Sequence, residues 1–145
     1  MTNDPRYSPP SSVVADPAPP SVPSRVRLAV KFLWASMALA VPAVYLDMDR
    51  NPEAGYVVFA VLVYALLFAF NAFVNVMVHR GRNWARLITF AFVLIGAFFM
   101  FIPVEEPAPP SILEWAINVV CLVLECVAIY LLFTQPGAAW FKSRE

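Results

Sequence analysis

The chain has 145 residues, 61% of them hydrophobic and 14% charged, with a mean hydropathy of +0.68. A water-soluble domain of this length has too little interior to hide so much apolar surface, so the composition excludes an ordinary soluble domain and makes the lipid bilayer the expected solvent. Ten basic side chains balance ten acidic ones, and no Lys/Arg-rich tract with interleaved aromatics lies outside the apolar runs, so nucleic acid is not an expected partner.

Residues 1–24 contain seven prolines among Ser, Ala and Val and lack the apolar residues of a packed core. A disordered, solvated tail with polyproline II character is expected there, docking of a partner domain being the second reading. A secretory signal would place a short basic region directly before its apolar core, so no cleavable signal is expected and the first apolar run stays as a span. Residues 25–145 form the expected transmembrane domain.

The first span is predicted over residues 28–46, close to the roughly 20 apolar residues that cross about 30 Å of hydrocarbon. Arg25 and Arg27 precede it, and the long stem of Lys31 can carry its ammonium back to the headgroups. Pro42 falls near the far end, where it bends the helix without aborting it. Ser36, Ala40 and Ala43 recur at i, i+4 and i+7, a strip of small side chains that lets another helix approach. An acidic turn follows over residues 47–53. The second span is predicted over residues 56–79, with a small-residue face at Ala65, Ala69 and Ala72 and with Asn71 and Asn75 one turn apart. An amide in hydrocarbon requires a partner, so both asparagines should face other helices.

Residues 79–86, HRGRNWAR, are a basic knot between two long apolar runs and organise the whole arrangement. Gly81 suits the left-handed residue that ends a helix and Asn83 the N-cap of the next, so about three residues reverse the chain. The third span is predicted over residues 85–104, closed by Pro103. An acidic, proline-stiffened loop leads to Ser111-Ile112-Leu113-Glu114, a capping box that starts a fourth span over residues 112–133. Pro136-Gly137 stops it, and Trp140, Phe141 and Lys142 read as an aromatic-plus-cation tail at the membrane interface. The fold expected is all-α, an antiparallel four-transmembrane-helix bundle, since no segment alternates like a membrane β-strand.

Orientation follows from where the cations fall. Arg6, Arg25, Arg27, Lys31, Arg80, Arg82, Arg86, Lys142 and Arg144 share one side, whereas the opposite loops carry Arg50 alone among Asp47, Asp49, Glu53, Glu105 and Glu106. Arg25, Arg27, Arg80, Arg82, Arg86, Lys142 and Arg144 therefore set the topology, and both termini and the central turn are expected in the cytoplasm. Topological retention is also the better reading of Arg80, Arg82 and Arg86 than contact with lipid headgroups or a partner.

Glu125 is the sharpest chemical feature, a carboxyl deep inside the fourth span where an ionised group is costly. Asn118, Cys121 and Glu125 share one helix face, with Glu114 above them, and antiparallel depth counting brings Asn71 and Ser36 to a similar level. The functional reading is a proton-accepting or cation-binding carboxylate. The structural one, preferred here, is a neutral acid hydrogen-bonded to Asn71 or Ser36, or reached by Lys31, that holds helices together. Cys121 and Cys126 are five apart on different faces, cannot pair, and read as small buried apolar residues. His79 has no acid or thiol at ligand spacing, so no metal is expected. Trp34, Trp84, Trp115 and Trp140 read as an interfacial belt. No phosphate loop, Cys-x-x-Cys pair, His-Glu-x-x-His or nucleophile elbow occurs, so neither catalysis nor a cofactor is expected.

From about residue 26 the chain resembles a loose group of uncharacterised small bacterial integral membrane proteins, through VRLA and LWAS in the first helix, GRNWAR in the inner turn, and LLF followed by PG and WF at the end. The resemblance implies a four-helix protein of the bacterial inner membrane and brings no site with it. Small multidrug transporters are similar in size and helix count, but their membrane glutamate lies in the first helix, which here has no acid.

The function expected from these readings is a non-enzymatic scaffold, accessory subunit or membrane-stress component that acts on a membrane-protein partner or as a homo-oligomer. The alternative is a small proton-coupled transporter or channel that oligomerises around Glu125, with Asn118, Asn71 and Asn75 along the path. A water-accessible cavity reaching Glu125 would favour transport.

Overall fold

A computed structural model describes residues 22–50, 53–101 and 110–142. The readings that fall on the proline-rich segment before residue 22, on Asn51 and Pro52, on Pro103, Glu105 and Glu106, and on Arg144 lie outside the described residues.

Four long helices account for most of the chain: α1 (Ser24–Arg50), α2 (Ala54–His79), α3 (Asn83–Phe101) and α4 (Ile112–Phe133), followed by the short α5 (Gly137–Lys142). Each of the first four is long and apolar enough to cross a membrane. In α2 only 11% of the most apolar window is buried inside the chain, and in α3 and α4 only 17%. Leu62, Leu66, Phe98 and Phe101 are among the many large side chains turned outward. Water would not tolerate such a surface and hydrocarbon does, so fold and surface together define a multi-pass membrane protein.

The helices form a ring in which α1 touches α2 and α4, and α3 touches the same two. The α1–α4 pair is the most intimate, as the small strip Ser36, Ala40 and Ala43 permits: the Cys121 thiol of α4 lies 3.5 Å from the backbone carbonyl of Ser36. Aromatic pairs join two of the remaining neighbours, Phe70 with Phe92 across α2 and α3 and Phe90 with Phe133 across α3 and α4.

The α2–α3 turn has the geometry its residues demand. Gly81 adopts φ +79°, its N–H donates to the Val78 carbonyl, and the Arg82 N–H donates to the Met77 carbonyl. Those two bonds satisfy the carbonyls that a helix end leaves without partners. Asn83 is the first residue of α3 rather than the residue before it.

Three sequence expectations change. Helix α1 runs four residues beyond residue 46, because Asp47 and Arg50 pair at i, i+3 (2.7 Å) and Arg50 also reaches Glu114 of α4 at 3.1 Å; residues 47–50 of the supposed acidic turn are the last turn of a helix. The Ser111 hydroxyl caps α4 by accepting the Glu114 N–H at 3.1 Å, but the Glu114 carboxylate accepts from Arg50 instead of closing the capping box. Trp140 and Phe141 are buried within the bundle rather than facing lipid: the Trp140 indole covers Gly81 so closely that a Cβ there would meet it at 2.7 Å. The Arg86 guanidinium stacks over Phe133 (4.5 Å) and Phe141 (5.0 Å), and Arg25 donates to the Gln135 carbonyl at 2.7 Å. Trp34, Trp84 and Trp115 are exposed, as a lipid-facing belt requires.

Candidate functional site

Four antiparallel helices can fill the space between them or leave it hollow, and this bundle does both at different depths. Toward the basic end, Val26, Val30, Leu33, Val74, Val78 and Leu132 pack with Trp140 and Phe141 into one continuous apolar core. Toward the acidic end the inward positions of α1 and α3 include Ala40, Ala43 and Gly96, and a chamber of about 600 Å³ remains. Its volume falls within the roughly 300–1,000 Å³ typical of ligand sites.

The chamber has an ionic upper end and a polar floor. At the upper end Arg50 bridges Asp47 and Glu114, and Asp47 also accepts the hydroxyls of Tyr56 at 2.7 Å and Tyr64 at 3.3 Å. Going down, Asn118, Asn71 and Cys121 line the walls, and Ser36, Asn75, Thr89 and Glu125 lie at the bottom. From Glu114 to Glu125 is eleven residues of α4, or about 16 Å at 1.5 Å per residue, so the site extends about half-way through a hydrocarbon layer.

Ser36 is 2% exposed and donates its hydroxyl proton to Glu125 Oε1 at 2.6 Å, the short distance of a strong O–H···O bond. The meeting of Ser36 with Glu125 read from helix depth is therefore present. The rest of the expected contact is not. Asn71 donates its amide to Leu67 of its own helix at 3.2 Å, and Lys31 is exposed and makes no ion pair with Glu125. Asn75 is buried and Asn118 exposed, yet both border the chamber. All five polar residues singled out in the sequence thus line one cavity inside a single chain, without a second copy. Of the topology-setting cations, Arg27, Arg80, Arg82 and Lys142 are exposed at the packed end, where Arg25 and Arg86 make the contacts described above.

The upper ionic group escaped the sequence reading, which treated Asp47 and Arg50 as loop residues and Glu114 as a cap. The Asp47-x-x-Arg50 spacing carried the local half of the signal; the approach of Glu114 from α4 had none. Thr89 and Tyr64 were also missed, because one threonine and one tyrosine in an apolar run are unremarkable until their neighbours are known. Among the described residues no group of three or more His, Cys, Asp or Glu could hold a metal ion. No protein-family model, curated protein or solved structure matches the chain.

Proposed function

We propose that this protein is a non-enzymatic, multi-pass protein of a bacterial cytoplasmic membrane, with its termini and the α2–α3 turn in the cytoplasm, and that it binds a small solute in the chamber above Glu125 as the loading step of proton-coupled transport. The observation that carries this reading is the hollow itself. A carboxyl serving only to join helices is best placed in a filled interior with every hydrogen-bonding position used, whereas Glu125 borders open space and, among the described residues, accepts a single bond, from Ser36. The cation bias, with Arg25, Arg27, Arg80, Arg82 and Lys142 gathered at the packed end, supports the orientation, and the GRNWAR turn supports the bacterial setting. The chamber then extends toward the non-cytoplasmic side.

The scaffold reading keeps one observation in its favour. Ala65 and Ala69 on α2 are exposed, a small-residue face against which a partner helix could pack.

Accessibility separates the two. In a chain whose Cys121 and Cys126 are replaced, a cysteine at Asn118 should react with a membrane-impermeant thiol reagent added outside, and one at Val78 should not. Failure of the Asn118 cysteine to react in a folded protein would remove the chamber and return Glu125 to a joining role. In proteoliposomes, Glu125→Gln should abolish pH-driven solute movement while leaving the fold intact; under the scaffold reading it is nearly silent and Glu125→Leu weakens helix association. For orientation, a cysteine at position 106 should label from outside and one at position 82 only from inside.

A further inference from the structure

We infer that the solute taken by this chamber is an organic monocation with an apolar, aromatic-compatible body, its charge at Glu125 and its body against the phenylalanines above. The inference rests on the chamber being a solute site and specifies what it selects.

Charge sign comes first. Among the Asp, Glu, Lys, Arg and His side chains, those that line the chamber are three carboxylates, Asp47, Glu114 and Glu125, against one guanidinium, Arg50, and Arg50 is occupied between the first two. About 16 Å deeper, Glu125 has no cation within ion-pair distance among the described residues. A carboxylate offers about four acceptor positions and Ser36 uses one, so the floor has acceptor capacity left and no positive charge of its own. An anion would meet Glu125 with nothing to offset it. A positively charged group supplies what the floor lacks, and in low-dielectric surroundings the attraction is far stronger than in water.

Size and wall chemistry then choose among cations. A tightly held divalent metal ion takes clustered carboxylate, thiolate or imidazole ligands, and no group of three or more His, Cys, Asp or Glu occurs among the described residues. The chamber is also far larger than such an ion requires. Phe68, Phe92 and Phe99, with Met37 and Met100, border the volume between floor and upper end. Aromatic faces attract an alkylammonium or arylphosphonium through the ring quadrupole, and thioethers adapt to irregular apolar shapes. Asn118 and Asn71 leave room for one hydrogen-bonding substituent without requiring it.

The test uses three probes sharing one fluorescent body, pyrenylmethyl-trimethylammonium, pyrenemethanol and pyrenesulfonate, titrated into the full-length protein in detergent micelles, with empty micelles subtracted. The cation should bind at least tenfold more tightly than the neutral probe, and the anion more weakly than either. Glu125→Gln, nearly isosteric and able to keep an oxygen facing Ser36, should erase the cation's advantage and leave pyrenemethanol unchanged. Gly96→Trp, where an added Cβ meets nothing within 4 Å, should fill the chamber and weaken all three probes. Equal affinity for the three probes in wild type, or no effect of Glu125→Gln on the cation, overturns the charge inference. In that event a reactive Asn118 cysteine still upholds the chamber, so the two failures are distinguishable.

Discussion

The two ends of this bundle use the same four helices and much the same apolar alphabet, yet one is filled and the other hollow. At the basic end the inward positions carry branched side chains, and the chain returns through α5 to place Trp140 over Gly81 and Phe141 beneath Arg86. At the acidic end Ala40, Ala43 and Gly96 face the axis among polar groups, and no terminal segment among the described residues folds back to fill the gap. The contrast shows where cohesion comes from in hydrocarbon. Burying one more methylene gains little when lipid tails are equally apolar, so close packing and hydrogen bonds hold such helices together. The filled end supplies the packing, and the Arg50 ion group supplies directional contacts around the hollow one.

Substitutions can break or sharpen this contrast. The largest effect is expected for Gly81→Val at the filled end: a branched residue at φ +79° with its Cβ driven 2.7 Å from Trp140 combines backbone strain and overpacking, together about 4 kcal/mol in reversible unfolding in mixed micelles. A cost below about 1 kcal/mol would mean that Trp140 is not seated there. Next comes Arg50→Met, which leaves Asp47 and Glu114 without their shared cation; because Arg50 and its partners keep some exposure, about 2 kcal/mol is expected, falling when Glu114→Gln is added. Strict additivity in that double variant would dissolve the group. Ser36→Ala should cost about 1 kcal/mol by removing the hydrogen bond to Glu125 while leaving the packed end unchanged by hydrogen exchange. Smallest and opposite in sign is Gly96→Ala, expected to stabilise by up to about 1 kcal/mol, since helix propensity improves and nothing lies within 4 Å of the new methyl. Destabilisation there would mean that the hollow end is as tightly filled as the other.

Much of the fold is legible in the residue order. Span α4 coincides with its predicted 112–133 limits and α2 begins two residues before its own, because an uninterrupted apolar run bounded by Ser111 or by the Gly81 turn leaves few alternatives. The extra turn of α1 was not legible, because part of what holds Arg50 in helix comes from Glu114, 64 residues away. The Trp140-Phe141 pair was misread for a related reason: an aromatic next to a lysine after a span looks like an interfacial anchor, and only the position of the α2–α3 turn gives it somewhere to be buried.

Taken alone, the sequence determined that the chain needs hydrocarbon around it, that four helices cross with alternating direction, and that Glu125 and Ser36 come to the same depth, because hydropathy, turn chemistry and helical rise are local properties. The tertiary structure decided that those polar groups border a hollow instead of sealing one. Whether a side chain meets a partner or open space depends on the volumes that separate helices bring to the same level, and no single stretch of sequence contains that sum.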